Sequence, residues 1–131
     1  MKPLIDPVPT DLIEAELTRE RFLRPTNNGD NEIYVVTAGD SPNVMREIGR
    51  LREVSFRDGG GGTGADTDID EYDLDPEGYR QLIVWDPKQK EIVGGYRFII
   101  SHSSHPKCMS TEHYFRFTDK FREEYLPYTI E

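Results

Sequence analysis

Acidic residues crowd one stretch of the chain: six fall in the ten positions from 66 to 75, and Glu77 follows two positions later. Three of the aspartates match positions 1, 3 and 5 of a twelve-residue EF-hand calcium loop, and Glu77 matches position 12. Glu71, however, stands at position 6, where the turn of that loop needs glycine. The residues after Glu77 also indicate a strand rather than a helix. We therefore predict that most of these acids lie in a solvated loop rather than in a calcium site.

Two arginines are predicted to lie inside otherwise apolar elements. Arg52 falls on the margin of the apolar stripe of a predicted helix, and Arg97 interrupts the apolar strand YRFII. A partly buried guanidinium needs a carboxylate partner, because an unpaired buried charge is costly. Asp70 and Asp73 can converge if they share a turn, so we predict one charge cluster that contains all four residues. The alternative is an ion-pair network that only fastens the long acidic loop to a sheet.

The helix that carries Arg52 is the best-specified element of the sequence. It is predicted over residues 41–57, with Ser41 as the N-cap and Pro42 at the first helical position, where the missing N–H of proline costs nothing. One side of this helix is apolar at helical spacing. The opposite side is predicted to carry Arg46, Arg50, Glu53 and Arg57.

Strands are predicted over residues 32–37, 81–85 and 92–100, because these runs are β-branched, aromatic and bounded by turn residues. Residues 86–90 join the last two strands as a hairpin. Gly94 and Gly95 inside the last strand indicate a bulge or the close approach of another backbone.

The remaining segments are predicted to be shorter or irregular. Short helices are expected over residues 11–22 and 118–125, and a strand is expected to begin at residue 126. A turn is predicted over residues 24–31. Residues 58–79 are predicted to form a long loop, and the GGGGTG sequence within it lacks the Lys-Ser/Thr pair of a P-loop, which favours a flexible lid or hinge.

The net charge of the chain bears on whether nucleic acid is a partner. The 131 residues include 25 acids and 16 bases, for a net charge of −9. Such a chain is poorly suited to nucleic acid, whose binding requires neutralisation of phosphates, so no nucleic-acid partner is predicted. The length fits a single domain. A single cysteine, the lack of an apolar h-region near residue 1 and the lack of a membrane-spanning run predict a soluble, cytoplasmic protein.

His102, His105 and Cys108 form an H-x2-H-x2-C pattern that could suggest zinc. A fourth ligand is only loosely available, and the pattern falls in a polar stretch between predicted elements. We therefore predict a polar surface loop there and no metal site.

The residues described so far resemble a known family. The segments EIGRLREVSF, DIDEYD, IVGGYRF and LPYTIE, in this order and spacing, resemble the N-terminal half of a GNAT-fold N-acyltransferase from about residue 32 to residue 131. The similar branch contains the acyl-homoserine-lactone synthases and the ornithine-lipid-type, haemolysin-like acyltransferases. The lactone synthases usually have a tryptophan after the helix, where this chain has GGGGTG, so the aminolipid branch is favoured. The resemblance implies an α/β fold with a twisted, mainly antiparallel sheet and the helix packed on one face.

The resemblance also implies roles for particular residues. The charge cluster of the family would comprise Arg52, Asp70, Asp73 and Arg97. Phe56 would pack near the acyl donor, and Glu131 matches a central-strand glutamate that is a candidate base, directly or through water, for the attacking amine. The strand backbone at Gly94 and Gly95 could help to stabilise the oxyanion of the thioester.

The function implied is N-acyl transfer without a tightly bound cofactor. A fatty acyl group would pass from acyl carrier protein or acyl-coenzyme A to the amine of a small amino acid, in aminolipid biosynthesis. Arg52 or Arg97 would bind the carboxylate of the acceptor. The rival from another class is a non-enzymatic binding module whose acidic loop holds calcium or a basic protein.

The expected organisation is an N-terminal extension with a short helix (residues 1–31) followed by the N-terminal half of the acyltransferase domain (residues 32–131). The second part is expected to end on the central strand, without the donor-binding loop, and to be inactive alone. An unpaired sheet edge would favour a homodimer. Peripheral membrane contact is also expected.

Overall fold

The computed structural model describes residues 1–101 and 109–131. Its helices are α1 (Thr10–Glu16), α2 (Pro42–Asp58), α3 (Glu71–Leu74) and α4 (Asp119–Glu124), with 3-10 turns at Ser110–His113 and Leu126–Tyr128. Its strands are β1 (Phe22–Pro25), β2 (Glu32–Val36), β3 (Arg80–Asp86) and β4 (Glu91–Phe98). Within the described ranges, no helix is long and apolar enough to cross a bilayer.

The four strands form an antiparallel sheet in the order β1-β2-β3-β4. Alternate residues of β3 are buried, which is the period-2 pattern of a strand with one face against the core. The main core forms between that face, which contributes Ile83 and Trp85, and α2, which contributes Val44, Met45 and Ile48. The predicted α/β architecture, a mainly antiparallel sheet with a helix on one face, is confirmed.

The β3–β4 hairpin contains the predicted bulge. Val84 pairs with Gly94 and Trp85 pairs with Ile92, so Val93 is the extra residue. A Cβ atom on Gly95 would lie 2.5 Å from the carbonyl oxygen of Leu82, which confirms the predicted close approach of another backbone. Val93, Gly94 and Gly95 line a space between this hairpin and α2.

Helix α2 begins where it was predicted, but a different residue caps it. Ser41 is at the N-cap and Pro42 begins the helix, yet the Ser41 side chain makes no capping bond. The carboxylate of Glu16 accepts hydrogen bonds from the backbone N–H groups of Asn43 (3.1 Å) and Val44 (2.8 Å). Because Glu16 ends α1, the cap also fastens the N-terminal segment to the rest of the protein.

The N-terminal segment departs from its predicted local structure. Helix α1 ends at Glu16 rather than at residue 22, and Phe22–Pro25 forms β1 where a turn was predicted from residue 24. Pairing with β2 explains the difference, because it provides backbone hydrogen bonds and brings the Phe22 ring edge-on to Tyr34, at 5.6 Å between centroids.

The strand predicted from residue 126 does not begin there. Residues Leu126–Tyr128 form a 3-10 turn instead, and the side chain of Leu126 is buried in a second apolar cluster with Tyr79, Ile99 and Met109. Strand β4 ends at Phe98, two residues earlier than predicted. Beyond it, Ile99 and Glu131 exchange two backbone hydrogen bonds of 2.8 and 3.0 Å, and Ile100 and Ile130 form an isolated antiparallel bridge.

The second short helix was predicted correctly. Helix α4 runs from Asp119 to Glu124, and the hydroxyl of Thr118 caps it by accepting a hydrogen bond from the N–H of Phe121 at 3.1 Å.

Candidate functional site

Asp73 is the centre of the predicted charge cluster, and its side chain has no exposed surface. Its Oδ2 accepts hydrogen bonds from Nη1 of Arg52 (2.9 Å) and from the backbone N–H of Asp70 (3.1 Å). Its Oδ1 accepts a hydrogen bond from Nε2 of Gln81 at 2.7 Å, and Nη1 of Arg97 lies 3.2 Å from the same oxygen. The structure therefore brings together all four residues of the predicted cluster.

The two aspartates converge because they form a capping box. Oδ1 of Asp70 accepts a hydrogen bond from the N–H of Asp73 at 3.0 Å, while Asp73 bonds back to the N–H of Asp70. This exchange initiates α3, a helix that interrupts the loop predicted over residues 58–79. The D-x2-D spacing thus places both carboxylates on one turn, facing the arginines.

Arg97 is held by two carboxylates and two aromatic rings. Its Nη1 lies 2.8 and 2.9 Å from the two carboxylate oxygens of Asp70. Its guanidinium carbon lies 4.7 Å from the ring centroid of Tyr79 and 5.9 Å from that of Tyr72, both within the range of cation–π attraction. These contacts compensate for the desolvation of a side chain that is only 24% exposed.

Gln81 completes the cluster and was not identified from the sequence. Its Oε1 accepts a hydrogen bond from Nη2 of Arg52 at 2.8 Å while its Nε2 donates to Asp73, so the three side chains form a closed ring. The available signal was positional, because Gln81 shares the inward face of β3 with Ile83 and Trp85, where a polar residue needs a buried partner.

A cavity of about 330 Å³ lies between α2 and the β3–β4 hairpin. Arg52 and Gln81 are among the polar residues that line it, and the predicted substrate-binding residues Phe56, Gly94 and Gly95 also line it. The cavity therefore joins the charge cluster to an apolar space beside an exposed stretch of strand backbone.

Glu131 lies apart from this cavity. Its side chain accepts hydrogen bonds from Oγ of Ser110 (2.6 Å) and from the N–H of Thr111 (3.1 Å). Among the described contacts, none joins Glu131 directly to an arginine or aspartate of the charge cluster. The connection runs through Tyr79, whose hydroxyl accepts a hydrogen bond from the N–H of Ser110 at 2.9 Å.

Burial and hydrogen bonding oppose each other in the pKa values of the two central acids. Burial alone would raise the pKa of Asp73, but the Asp70 amide and the Arg52 and Arg97 guanidinium groups outweigh it and hold the pKa below its ordinary value. Burial likewise acts to raise the pKa of Glu131, and the hydrogen bonds from Ser110 and Thr111, together with the nearby hydroxyl of Tyr79, lower it overall. Both carboxylates are therefore ionised at neutral pH.

Glu53 corrects one prediction from the sequence. It was predicted on the polar side of α2, but its side chain has no exposed surface. Its carboxylate accepts hydrogen bonds from Arg57, from the N–H and hydroxyl of Thr63 and from the N–H of Gly64. These bonds fasten the end of the glycine-rich loop, which was predicted to be a flexible lid or hinge, and Arg57 and the loop donors lower the pKa of Glu53 to about 2.

The structure describes the acidic loop but not the histidine–cysteine pattern. Of the four acids predicted to be solvated, Asp66, Asp75 and Glu77 are exposed, whereas Asp68 is half-buried and burial raises the pKa of its carboxyl. In the part of the chain that the structure describes, no group of three or more potential ligands is arranged to hold a metal ion. The segment that contains His102, His105 and Cys108 lies outside the described residues.

Comparison with known proteins places these observations in a family. Residues 51–131 match the acetyltransferase (GNAT) domain family. Over its whole length the chain is 51% identical to a glycine N(alpha)-acyltransferase of Bacteroides thetaiotaomicron and 50% identical to one of Phocaeicola vulgatus. It spans 40% and 42% of the lengths of these relatives. No solved structure matches the chain. The match covers the charge cluster and Glu131 together, and on that basis the chain belongs to the GNAT acetyltransferase domain family.

Proposed function

We propose that the protein transfers an acyl group from a thioester donor to the α-amine of a small amino acid. Family membership and two relatives named glycine N(alpha)-acyltransferase support this proposal, with glycine as the first acceptor to test. The observation that carries it is the buried ring of Arg52, Asp73 and Gln81 beside a cavity that a small acceptor and an apolar chain can enter.

Arg52 is the best-placed group to bind the carboxylate of the acceptor. Asp73 and Gln81 use two of its five N–H donors, and the other three have no partner among the described residues. Its side chain is 20% exposed and lines the cavity. Arg97 is less suitable, because Asp70 and the aromatic rings of Tyr72 and Tyr79 already surround its guanidinium.

The reaction requires a neutral amine beside the thioester carbonyl. Nitrogen attacks the carbonyl carbon, the carbon–sulfur bond breaks, the amine loses one proton, and the donor leaves as a thiol. Glu131 is the proposed proton acceptor. Its lowered pKa makes it a weak base at neutral pH and it lies outside the cavity, so we propose that it receives the proton of the amine through water. The exposed backbone of Gly94 and Gly95 in the cavity wall is the proposed contact of the oxyanion.

The finer features of this function remain proposals. The acyl group is proposed to be a fatty acyl chain carried by coenzyme A or by acyl carrier protein, and the product would be an aminolipid or its precursor. We also propose a cytoplasmic location, peripheral contact with a membrane and a homodimer through an exposed sheet edge.

The test is acyl transfer by the protein produced from its intact gene. It would be incubated with glycine and either palmitoyl-coenzyme A or palmitoyl carrier protein, and N-acylglycine would be measured by mass spectrometry. Arg52→Lys keeps the charge but loses the planar fork, so the KM for glycine is expected to rise about 10-fold or more. Arg46→Lys is the matched control, because Arg46 is exposed on the same helix.

Two results would contradict the proposal. One is the absence of N-acylated product with both donors and a panel of small amino acids. The other is an unchanged KM for the acceptor in Arg52→Lys, which would remove Arg52 from the acceptor site.

A further inference from the structure

Tyr79 lies between the arginine–aspartate cluster (Arg52, Asp70, Asp73 and Arg97) and Glu131, and it contacts both sides. Its ring packs against the guanidinium of Arg97, and its hydroxyl bonds to Ser110, which bonds to Glu131. We propose that Tyr79 is a positioning residue that holds Glu131 and Arg97 in a fixed relation within one site. This inference rests on the acyltransferase function proposed above.

The ring of Tyr79 determines where Arg97 lies. The guanidinium carbon is 4.7 Å from the ring centroid, and the Tyr72 ring stands nearly perpendicular to that of Tyr79, at an interplanar angle of 88°. The two rings and the carboxylate of Asp70 all contact the Arg97 guanidinium. A phenylalanine at position 79 would preserve this half of the arrangement.

The hydroxyl of Tyr79 determines the direction of the bond to Glu131. The hydroxyl accepts a hydrogen bond from the N–H of Ser110 at 2.9 Å and donates its own hydrogen to Oγ of Ser110 at 3.2 Å. Because Oγ of Ser110 is thereby an acceptor towards Tyr79, its hydrogen is available for Oε1 of Glu131, at 2.6 Å. The relay therefore runs from Tyr79 through Ser110 to the carboxylate.

Burial makes this relay difficult to replace. Tyr79 is 3% exposed, so water cannot easily take the place of its hydroxyl. Packing alone would be satisfied by a phenylalanine, because the surrounding side chains Ile99, Met109 and Leu126 are apolar. The hydroxyl is not needed for packing, and its role is in the bonds to Ser110 and the interaction with Glu131.

The groups that face Glu131 come from three described elements. They are Tyr79 at the start of the β3 region, Ser110 and Thr111 of the 3-10 turn, and the backbone of Ile99 beyond β4. The nearby charged residue of the same turn, Glu112, pairs with Arg122 at 2.8 Å. Arg97 lies against the ring of Tyr79 rather than against its hydroxyl.

The experiment compares Tyr79→Phe with Tyr72→Phe. Both substitutions remove one hydroxyl from a ring that packs on Arg97, but only the first breaks the relay. The side-chain carboxyl carbon of Glu131 would be titrated by NMR in each variant. In Tyr79→Phe the pKa of Glu131 is expected to rise towards its ordinary value, because the hydroxyl that orients Ser110 towards the carboxylate is lost, while Tyr72→Phe titrates like the unsubstituted protein. An unchanged titration in Tyr79→Phe would overturn the proposal.

Two further measurements test the relay with a second variant and distinguish its failure from a failure of the proposed function. Ser110→Ala removes the last donor of the relay while Tyr79 stays intact, so it should raise the pKa of Glu131 as well; no rise would also contradict the proposal. The acyl-transfer rate should fall about 10-fold in Tyr79→Phe relative to Tyr72→Phe, with the KM for the acceptor little changed. If the unsubstituted protein transfers no acyl group, the proposed function fails, but the NMR titration still decides whether Tyr79 positions Glu131.

Discussion

Replacing Asp73 by asparagine removes one oxygen and one charge from the centre of the cluster. The two carboxylate oxygens of Asp73 face four donors, which belong to Arg52, Asp70, Gln81 and Arg97. An asparagine can offer an oxygen to only two of them. In either orientation of its amide, the NH2 group faces the other two donors, so the defect cannot be relieved by a flip.

The size of the effect follows from the burial of the pair. Removing one partner of a buried ion pair leaves the other charge uncompensated and costs about 3–5 kcal/mol. Asp73 has no exposed side-chain surface, and Arg52 and Arg97 are 20% and 24% exposed, so water can compensate the two arginines only in part. The free energy of unfolding of an ordinary domain is about 5–15 kcal/mol, so this single substitution would remove a large share of that stability.

The assay is urea unfolding followed by the fluorescence of Trp85, the single tryptophan of the 131 residues and a buried member of the main core. With a urea dependence of about 2 kcal/mol per molar, the midpoint of Asp73→Asn is expected to fall by about 2 M. Asp66→Asn is the matched control, since Asp66 is exposed in the same loop and its substitution should change the free energy of unfolding by less than about 0.5 kcal/mol. If Asp73→Asn lowers the free energy of unfolding by less than about 1 kcal/mol, the buried ion pair is refuted, because the cluster would then be open to water.

The other predictions concern Glu53 and the two glycines of β4. The pKa of Glu53 is lowered to about 2 in the folded state, below its ordinary 4.5, so its stabilising effect is complete above pH 4.5 and is lost as the pH falls towards 2. Urea unfolding between pH 7 and pH 2 should show this loss of stability. Glu53→Gln should be less stable at pH 7 and should lose less of its free energy of unfolding on acidification. An equal acid dependence in the two proteins would contradict the lowered pKa of Glu53. Gly95→Ala should destabilise the protein by about 1–3 kcal/mol, because the new Cβ would lie 2.5 Å from a backbone oxygen. Gly94→Ala is its control, since a Cβ there meets no atom within 4 Å, and equal stabilities of the two variants in the same assay would show that the close approach is absent.

Local patterns were sufficient to predict the elements that carry the site. Helical spacing and Pro42 predicted α2, and a short turn between two β-branched runs predicted the β3–β4 hairpin. The pairing of Arg52 and Arg97 with aspartates followed from the cost of an unpaired buried charge. These signals could be read because each depends on neighbours in the sequence or on the sign of a charge.

Other features needed contacts between distant residues. Strand β1 exists because β2 pairs with it, and the sequence FLRP alone predicted a helix end and a turn. Glu53 was assigned to the polar side of α2 from its helical position, yet the glycine-rich loop folds back over it and supplies donors from Thr63 and Gly64. Glu16 caps a helix that begins 26 residues later, so no local pattern marks it as a cap.

The amino-acid sequence by itself determined which side chains need partners: two guanidinium groups placed within apolar elements, and two aspartates spaced to share a turn. The tertiary structure alone decided that Gln81 closes the ring around Asp73 and that Tyr79 connects Arg97 to Glu131. The partners in these contacts are separated by 29 residues between Arg52 and Gln81 and by 31 residues between Tyr79 and Ser110. Over such distances, whether a donor meets an acceptor depends on how α2, the sheet and the 3-10 turn pack, because hydrogen bonds require partners within a few tenths of an ångström.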